Sequence, residues 1–229
     1  MNCKDITNLV RWLINNICVV LGDRCFKQVI GIPMGTDCAP FLANLFLFAC
    51  EFQWIDKQRK ANKYQLLKKI LGCGRYIDDL LMIKNDHAMD KVMSEIYPKE
   101  LILVPDEYTG LSVPFLDLKL IIKDNMIYSH IYDKRDIFNF PVVNFPILSG
   151  NIPLWSPYGV FIGELVRYAR ACTYFVDFEK RTLSLVTKLL KQFYTKNRLK
   201  RTWHKFCDSH IFLIQKYGSQ ILDLYKKWM

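Results

Sequence analysis

The chain predicts an α+β fold, and three observations carry that reading. A long apolar run without a breaker spans 39–60, two hairpin-like stretches of alternating residues surround Asp78–Asp79 and Lys123–Asn125, and the pattern from Gly159 onward is wholly helical. Strand and helix signals mix over about the first 150 residues, and a smaller helical region follows. A stretch rich in Pro, Asn and Gly over 141–157 marks the expected boundary, giving regions 1–150 and 151–229. With 229 residues, 51% of them apolar and 14% aromatic, the chain can bury a core.

Taken in order, residues 5–21 predict a helix. The run "LVRWLINNICVVLG" is interrupted by Arg11, Asn15 and Asn16, so it reads as amphipathic and not as a membrane span. It also lacks a signal-peptide layout. Residues 28–32 form a short β-rich run. The following "GIPMGTDCAP" must be irregular, since Gly31, Pro33, Gly35 and Pro40 punctuate it. Residues 39–60 then predict a long, largely buried helix, because apolar residues fall on nearly every turn. A Lys-rich stretch, the Asp-Asp hairpin and a helix over 88–97 follow. Residues 113–135 alternate around "KDN" as a second hairpin.

The net charge of +10 points to an anionic partner, either nucleic acid or an acidic membrane surface. No long apolar run supports the membrane option. Eight cysteines never fall closer than seven apart, so no CxxC pair exists and zinc is not expected. With no secretory signal, the expected compartment is reducing and intracellular, nuclear or cytoplasmic.

The stretch "GCGRYIDDLLMIKN" (72–85) places two carboxylates between two short apolar runs. One reading is a solvated turn, because Asp is a common turn former. The other is phosphoryl transfer, in which carboxylates hold divalent ions that activate a hydroxyl and stabilise a leaving pyrophosphate. Magnesium prefers such oxygen ligands and keeps several waters, so few carboxylates are needed. Asp78 would then be the direct ligand and Asp79 its neighbour across the turn.

"RYIDDLLMI" resembles the Tyr-x-Asp-Asp motif of reverse transcriptases. Upstream, "FKQVIGIPMGTDCAPFLANLFLFACE" is similar to the preceding palm motif as Penelope-like retroelements carry it. Downstream, "FLDLKLII", "IYDKRDIFNFPVVNFPILSGNIP", "SPYGVFIGELVRYARACT" and "KLLKQFYTKNRLKRTWHKF" resemble the continuation into primer grip and thumb. The resemblance spans about 6–219. It implies a partial polymerase palm, an antiparallel sheet with packed helices, followed by a helical thumb. It further implies an RNA-directed DNA polymerase using Mg2+ or Mn2+, with RNA template, DNA primer and dNTP as partners. Asp78 and Asp79 become the catalytic metal ligands. Gly31, Pro33, Met34, Gly35 and Thr36, with Tyr76, become the residues that support template and nucleotide. Two positions depart from the family pattern: Asp37 stands where Asn is common, and Asn44 where Asp is common.

Between Lys180 and Cys207 lie nine Lys or Arg residues and no Asp or Glu. Lys188, Lys191, Arg198, Arg201 and Lys205 share one face if a single helix runs through them, with Val186, Leu190, Phe193 and Leu199 packing behind. Such a run is either a solvated face or a phosphate-binding one. Its single sign favours the second, because like charges on adjacent turns repel unless a polyanion neutralises them. The resemblance places these residues in the thumb, on the duplex backbone, with Arg167 and Arg170 on the same surface. Residues 132–135 are either a solvated strand end or a support for the primer 3′ end.

In reverse transcriptases a first catalytic Asp lies on a strand ahead of the "GIPMGT" block. Here only Asp5 and Asp23 precede it, and neither sits in an apolar strand followed by an aromatic. The expectation is a chain cut short at the front, inactive alone, with an exposed sheet edge through which it associates. A non-catalytic nucleic-acid-binding remnant is the alternative.

Overall fold

In a computed structural model the described residues are 2–32, 35–83, 87–104, 110–140, 142–153 and 156–229, without the side chains of residues 87 and 88. The fold mixes helices with small antiparallel sheets, and it divides into two compact units, Met1–Val104 and Pro105–Met229.

The first unit opens with α1 (Cys3–Asn15), whose N-terminus closes in a capping box between Asn2 and Asp5. The helix expected over 5–21 therefore ends six residues early. The Asn16 side chain bonds back to the Trp12 carbonyl, and the β-branched residues beyond it pair as β1 (Cys18–Leu21) with β2 (Arg24–Lys27). Gly22, at φ 64°, turns that hairpin. The strand signal at 28–32 is thus displaced, and the irregular loop begins there. No residue of α1, β1 or β2 is buried.

Helix α2 (Ala39–Lys60) has the bounds its pattern predicts, but it is not largely buried. Only Ala39, Trp54 and Gln58 are buried, while Phe41, Leu45, Phe48, Phe52 and Ile55 stand 40–77% exposed. Leu47, Cys50 and Trp54 lie on its other side. They pack with α3 (Tyr64–Ile70), the hairpin β3 (Cys73–Tyr76) and β4 (Asp79–Met82), and α4 (His87–Ile96) into one core around Met89, Val92, Met93 and Ile96.

In the second unit β5 (Ser112–Phe115), β6 (Leu118–Lys123) and β7 (Met126–Ile131) form an antiparallel meander. The expected hairpin thus gains a strand. Asp124 and Asn125, both at positive φ, make the β6–β7 turn, as its "KDN" signal suggests. Helices α5 (Ser156–Ala171), α6 (Phe175–Lys191), α7 (Lys196–Ser209), α8 (Phe212–Tyr217) and α9 (Gln220–Asp223) surround a core of Phe161, Leu165, Phe178, Leu189, Leu199, Trp203 and Phe206. The sheet belongs to this unit because β7 is bonded to the α5–α6 connection. Thr173 N–H donates to Ser129 O at 2.8 Å and Ser129 Oγ donates to Ala171 O at 2.7 Å. The units therefore part after Val104, ahead of the boundary expected near residue 150.

Among the described residues no helix is long and apolar enough to cross a membrane.

Candidate metal centre and nucleic-acid interface

The register Cys73↔Met82, Arg75↔Leu80 and Tyr76↔Asp79 leaves Ile77 and Asp78 as a two-residue bend. Side chains alternate across the two strands. Cys73, Leu80 and Met82 face the core, and Arg75 shares their side. Tyr76 and Asp79 therefore point outward together, and Asp78 is exposed at the tip. Ile77 holds φ 53°, a conformation that a β-branched residue adopts only under strain of about 1–3 kcal/mol.

That bend is clamped from below by residues the sequence reading did not assign. Arg75 Nε donates to Glu51 Oε1 at 2.5 Å and Nη2 to Oε2 at 3.3 Å, while Nη1 donates to Asn44 Oδ1 at 2.8 Å and to the Ile77 carbonyl at 3.1 Å. Tyr97 Oη donates to Glu51 Oε1 at 2.7 Å. Burial opposes the charge on Glu51, yet the hydrogen bonds from Arg75 and Tyr97 outweigh it and hold the carboxyl below its usual range. The same pairing raises Arg75, and burial followed by Glu51 pushes the Tyr97 phenol up. Asn44, one of the two positions that depart from the family pattern, thus serves as an acceptor for Arg75. A usable signal existed: Arg75 is a charged residue on the inward side of an alternating strand.

Asp78 and Asp79 offer the hard oxygen donors that magnesium or manganese takes. Among the described residues no group of three or more His, Cys, Asp or Glu is placed to hold a metal. Asp78 and Asp79 are the two carboxylates that the bend itself brings together, and they fit the ion in kind. Asp5 is occupied in the α1 capping box, and Asp23 sits in the β1–β2 turn.

Gly31 and Gly35 adopt φ 88° and 89°, so the loop ahead of α2 needs glycine at both positions. Thr36 O accepts from Ala39 N–H at 3.0 Å as α2 begins. Pro33 and Met34 lie outside the described residues.

The basic stretch does not run along one helix. Helix α6 ends at Lys191, Phe193 takes φ 69°, and α7 starts at Lys196. Lys188 and Lys191 therefore close one helix while Arg198, Arg201 and Lys205 lie on a single face of the next. Phe193, expected to pack, is 65% exposed, whereas Val186 and Leu199 are buried. Lys188 lies 3.8 Å from Asp136, and Arg198 sits 4.5 Å over the Tyr158 ring. Arg167 donates to Asp117 at 2.9 Å and pairs with Glu164, which ties α5 to the β5–β6 turn. Arg170, Lys191, Arg201 and Lys205 are exposed.

In comparisons with known proteins, no family model, no curated protein and no solved structure matches this chain.

Proposed function

We propose that the chain is part of an RNA-directed DNA polymerase of the reverse-transcriptase kind, resembling that of Penelope-like retroelements. The observation that carries this reading is the exposed Asp78–Asp79 bend, strained at Ile77 and held by Arg75. In this role the hairpin with α2 belongs to a palm and the helices α5–α9 to a thumb. When bound, magnesium or manganese would activate the primer hydroxyl and stabilise the leaving pyrophosphate. Asp78 and Asp79 would hold the ion, Tyr76 and the Gly31–Gly35–Thr36 loop would support template and incoming dNTP, and Arg201 and Lys205 would bear on the duplex backbone. Two carboxylates hold two ions weakly, so the chain by itself extends a primer little or not at all.

A non-catalytic nucleic-acid-binding role is the second reading, favoured by the exposed cations Arg170, Lys191, Arg201 and Lys205. Both readings expect salt-dependent binding to an RNA–DNA primer–template. Manganese titration followed by electron paramagnetic resonance separates them. The polymerase reading expects the wild type to bind manganese in the presence of primer–template and Asp78→Asn to lose that binding. Equal behaviour of the two proteins would leave the binding module. Robust primer extension by the chain alone would overturn the expectation of inactivity.

A further inference from the structure

Residues 133–140 carry a feature that the proposed metal chemistry does not use. Phe138 and Phe140 stack on each other, centroids 5.2 Å apart and planes 5° from parallel, yet they are 50% and 63% exposed. The backbone explains how they meet. A short 3-10 turn, Lys134–Ile137, is capped by the Asp133 side chain, its C-cap Phe138 is extended, and the chain bends at 139–140, which brings the two rings together. The turn is pinned at several points. Arg135 forms a two-pronged ion pair with Asp133 at 2.7 and 2.8 Å, Arg181 pairs with Asp136, and Arg181 Nη2 donates to the Ile131 carbonyl at 3.0 Å.

The charge on this turn leans positive. Lys134, Arg135, Arg181 and Lys188 stand against Asp133, Asp136 and, beside Arg135, Glu164, and Lys134 is exposed. The two rings lie parallel and at least half exposed on a backbone held by these ion pairs. They suit a partner with flat π-faces, and the surplus positive charge suits one whose backbone is anionic.

We infer that Phe138 and Phe140 form a stacking platform for the bases of a single-stranded nucleic acid whose phosphates lie toward Lys134 and Lys188. The inference rests on the nucleic-acid reading above and adds a single-strand subsite to it. Stacking on such rings tolerates any base, so the platform would hold an unpaired strand without reading its sequence.

The test compares fluorescein-labelled oligothymidylate with an abasic oligomer of equal length and charge, by fluorescence anisotropy over a salt series. The wild type should prefer the based strand by about tenfold or more, in keeping with stacking on two rings. Phe138→Ala with Phe140→Ala should bring that preference down to the abasic level while leaving the salt slope unchanged, since the phosphate contacts remain. Phe138→Tyr with Phe140→Tyr should retain it. Both rings are exposed, so matched circular dichroism melts confirm that each variant folds. A wild type that binds the two oligomers alike, or an alanine variant that keeps the preference, overturns the inference. So does an alanine variant whose only change is in sedimentation, which would mark the rings as a protein contact. A primer–template duplex arm separates the two readings. Duplex binding without the base preference removes the platform alone, and failure to bind either strand form removes the nucleic-acid function with it.

Discussion

Arg75 and Glu51, twenty-four residues apart in sequence, meet in a two-pronged ion pair that joins the Asp-Asp hairpin to α2. Their side chains are only 15% and 25% exposed, so neither charge is fully solvated if its partner leaves. Arg75→Met removes four hydrogen bonds and leaves the Glu51 carboxylate with Tyr97 but without its counter-charge, for an expected loss of about 2–4 kcal/mol. Glu51→Gln keeps an acceptor for Arg75 and should cost less, about 1–2 kcal/mol. Urea denaturation followed by circular dichroism measures both, and the order of the two variants is the decisive result.

Partly buried carboxylates and phenols in each unit set a pH response at both ends. Glu51 and Asp133 titrate below their usual range in the folded chain, Glu51 against the cost of burial and Asp133 chiefly through Arg135. The stability they supply is complete above the ordinary carboxyl range and is lost as pH falls through their folded values. Tyr97, Tyr168 and Tyr217 are raised chiefly by burial, so their contribution is complete below the ordinary phenol value of 10.0 and is lost as pH climbs above it. Urea midpoints across the pH range should form a plateau with both shoulders. Glu51→Gln should flatten part of the acid shoulder and Tyr97→Phe part of the alkaline one.

Much of this fold is legible along the chain because local signals agree with it. The bounds of α2 follow from an unbroken apolar run opened by Pro40, and the turn at Asp124–Asn125 from its "KDN" signal. The β1–β2 hairpin is missed because the apolar period of 9–21 fits a helix as well as a helix plus strand, and only Gly22–Asp23 marks the turn. The break between α6 and α7 is missed because neither Gly nor Pro marks it; Phe193 supplies the positive φ instead. The Asp-Asp bend can be read locally, whereas its clamp depends on partners 24 and 46 residues apart that no local period reveals.

The cations of the second unit separate into structural and available ones, and substitution should distinguish them. Arg167 is engaged by Asp117 and Glu164, so Arg167→Ala should lower stability by about 1 kcal/mol and leave nucleic-acid affinity nearly unchanged. Arg201 and Lys205 are exposed one turn apart on α7. Replacing both with Ala should leave the melt unchanged and reduce the salt slope of primer–template binding by about one per lost phosphate contact. Anisotropy titrations at several salt concentrations read that slope directly. A slope that stays fixed would mean that α7 does not touch the backbone.

Helix α2 is apolar on both sides, which explains how an unbroken hydrophobic run gives a helix with so little burial. Leu47, Cys50 and Trp54 enter the core, whereas Phe41, Leu45, Phe48, Phe52 and Ile55 recur at spacings of four and three on a face that remains 40–77% exposed. Phe, the largest of these side chains, presents about 150–250 Å² when fully exposed, so the stripe approaches about 500 Å², at the upper end of what a monomer leaves uncovered. Water is a poor solvent for such a stripe, and concentrated protein should associate through it in addition to any pairing at the open edges of β3 and β4. Leu45→Glu with Phe48→Glu places two charges at its centre without touching the core. Light scattering over a concentration series should show less association in the variant, with an unchanged urea midpoint. Equal scattering in both proteins would shift the cause of association to the strand edges.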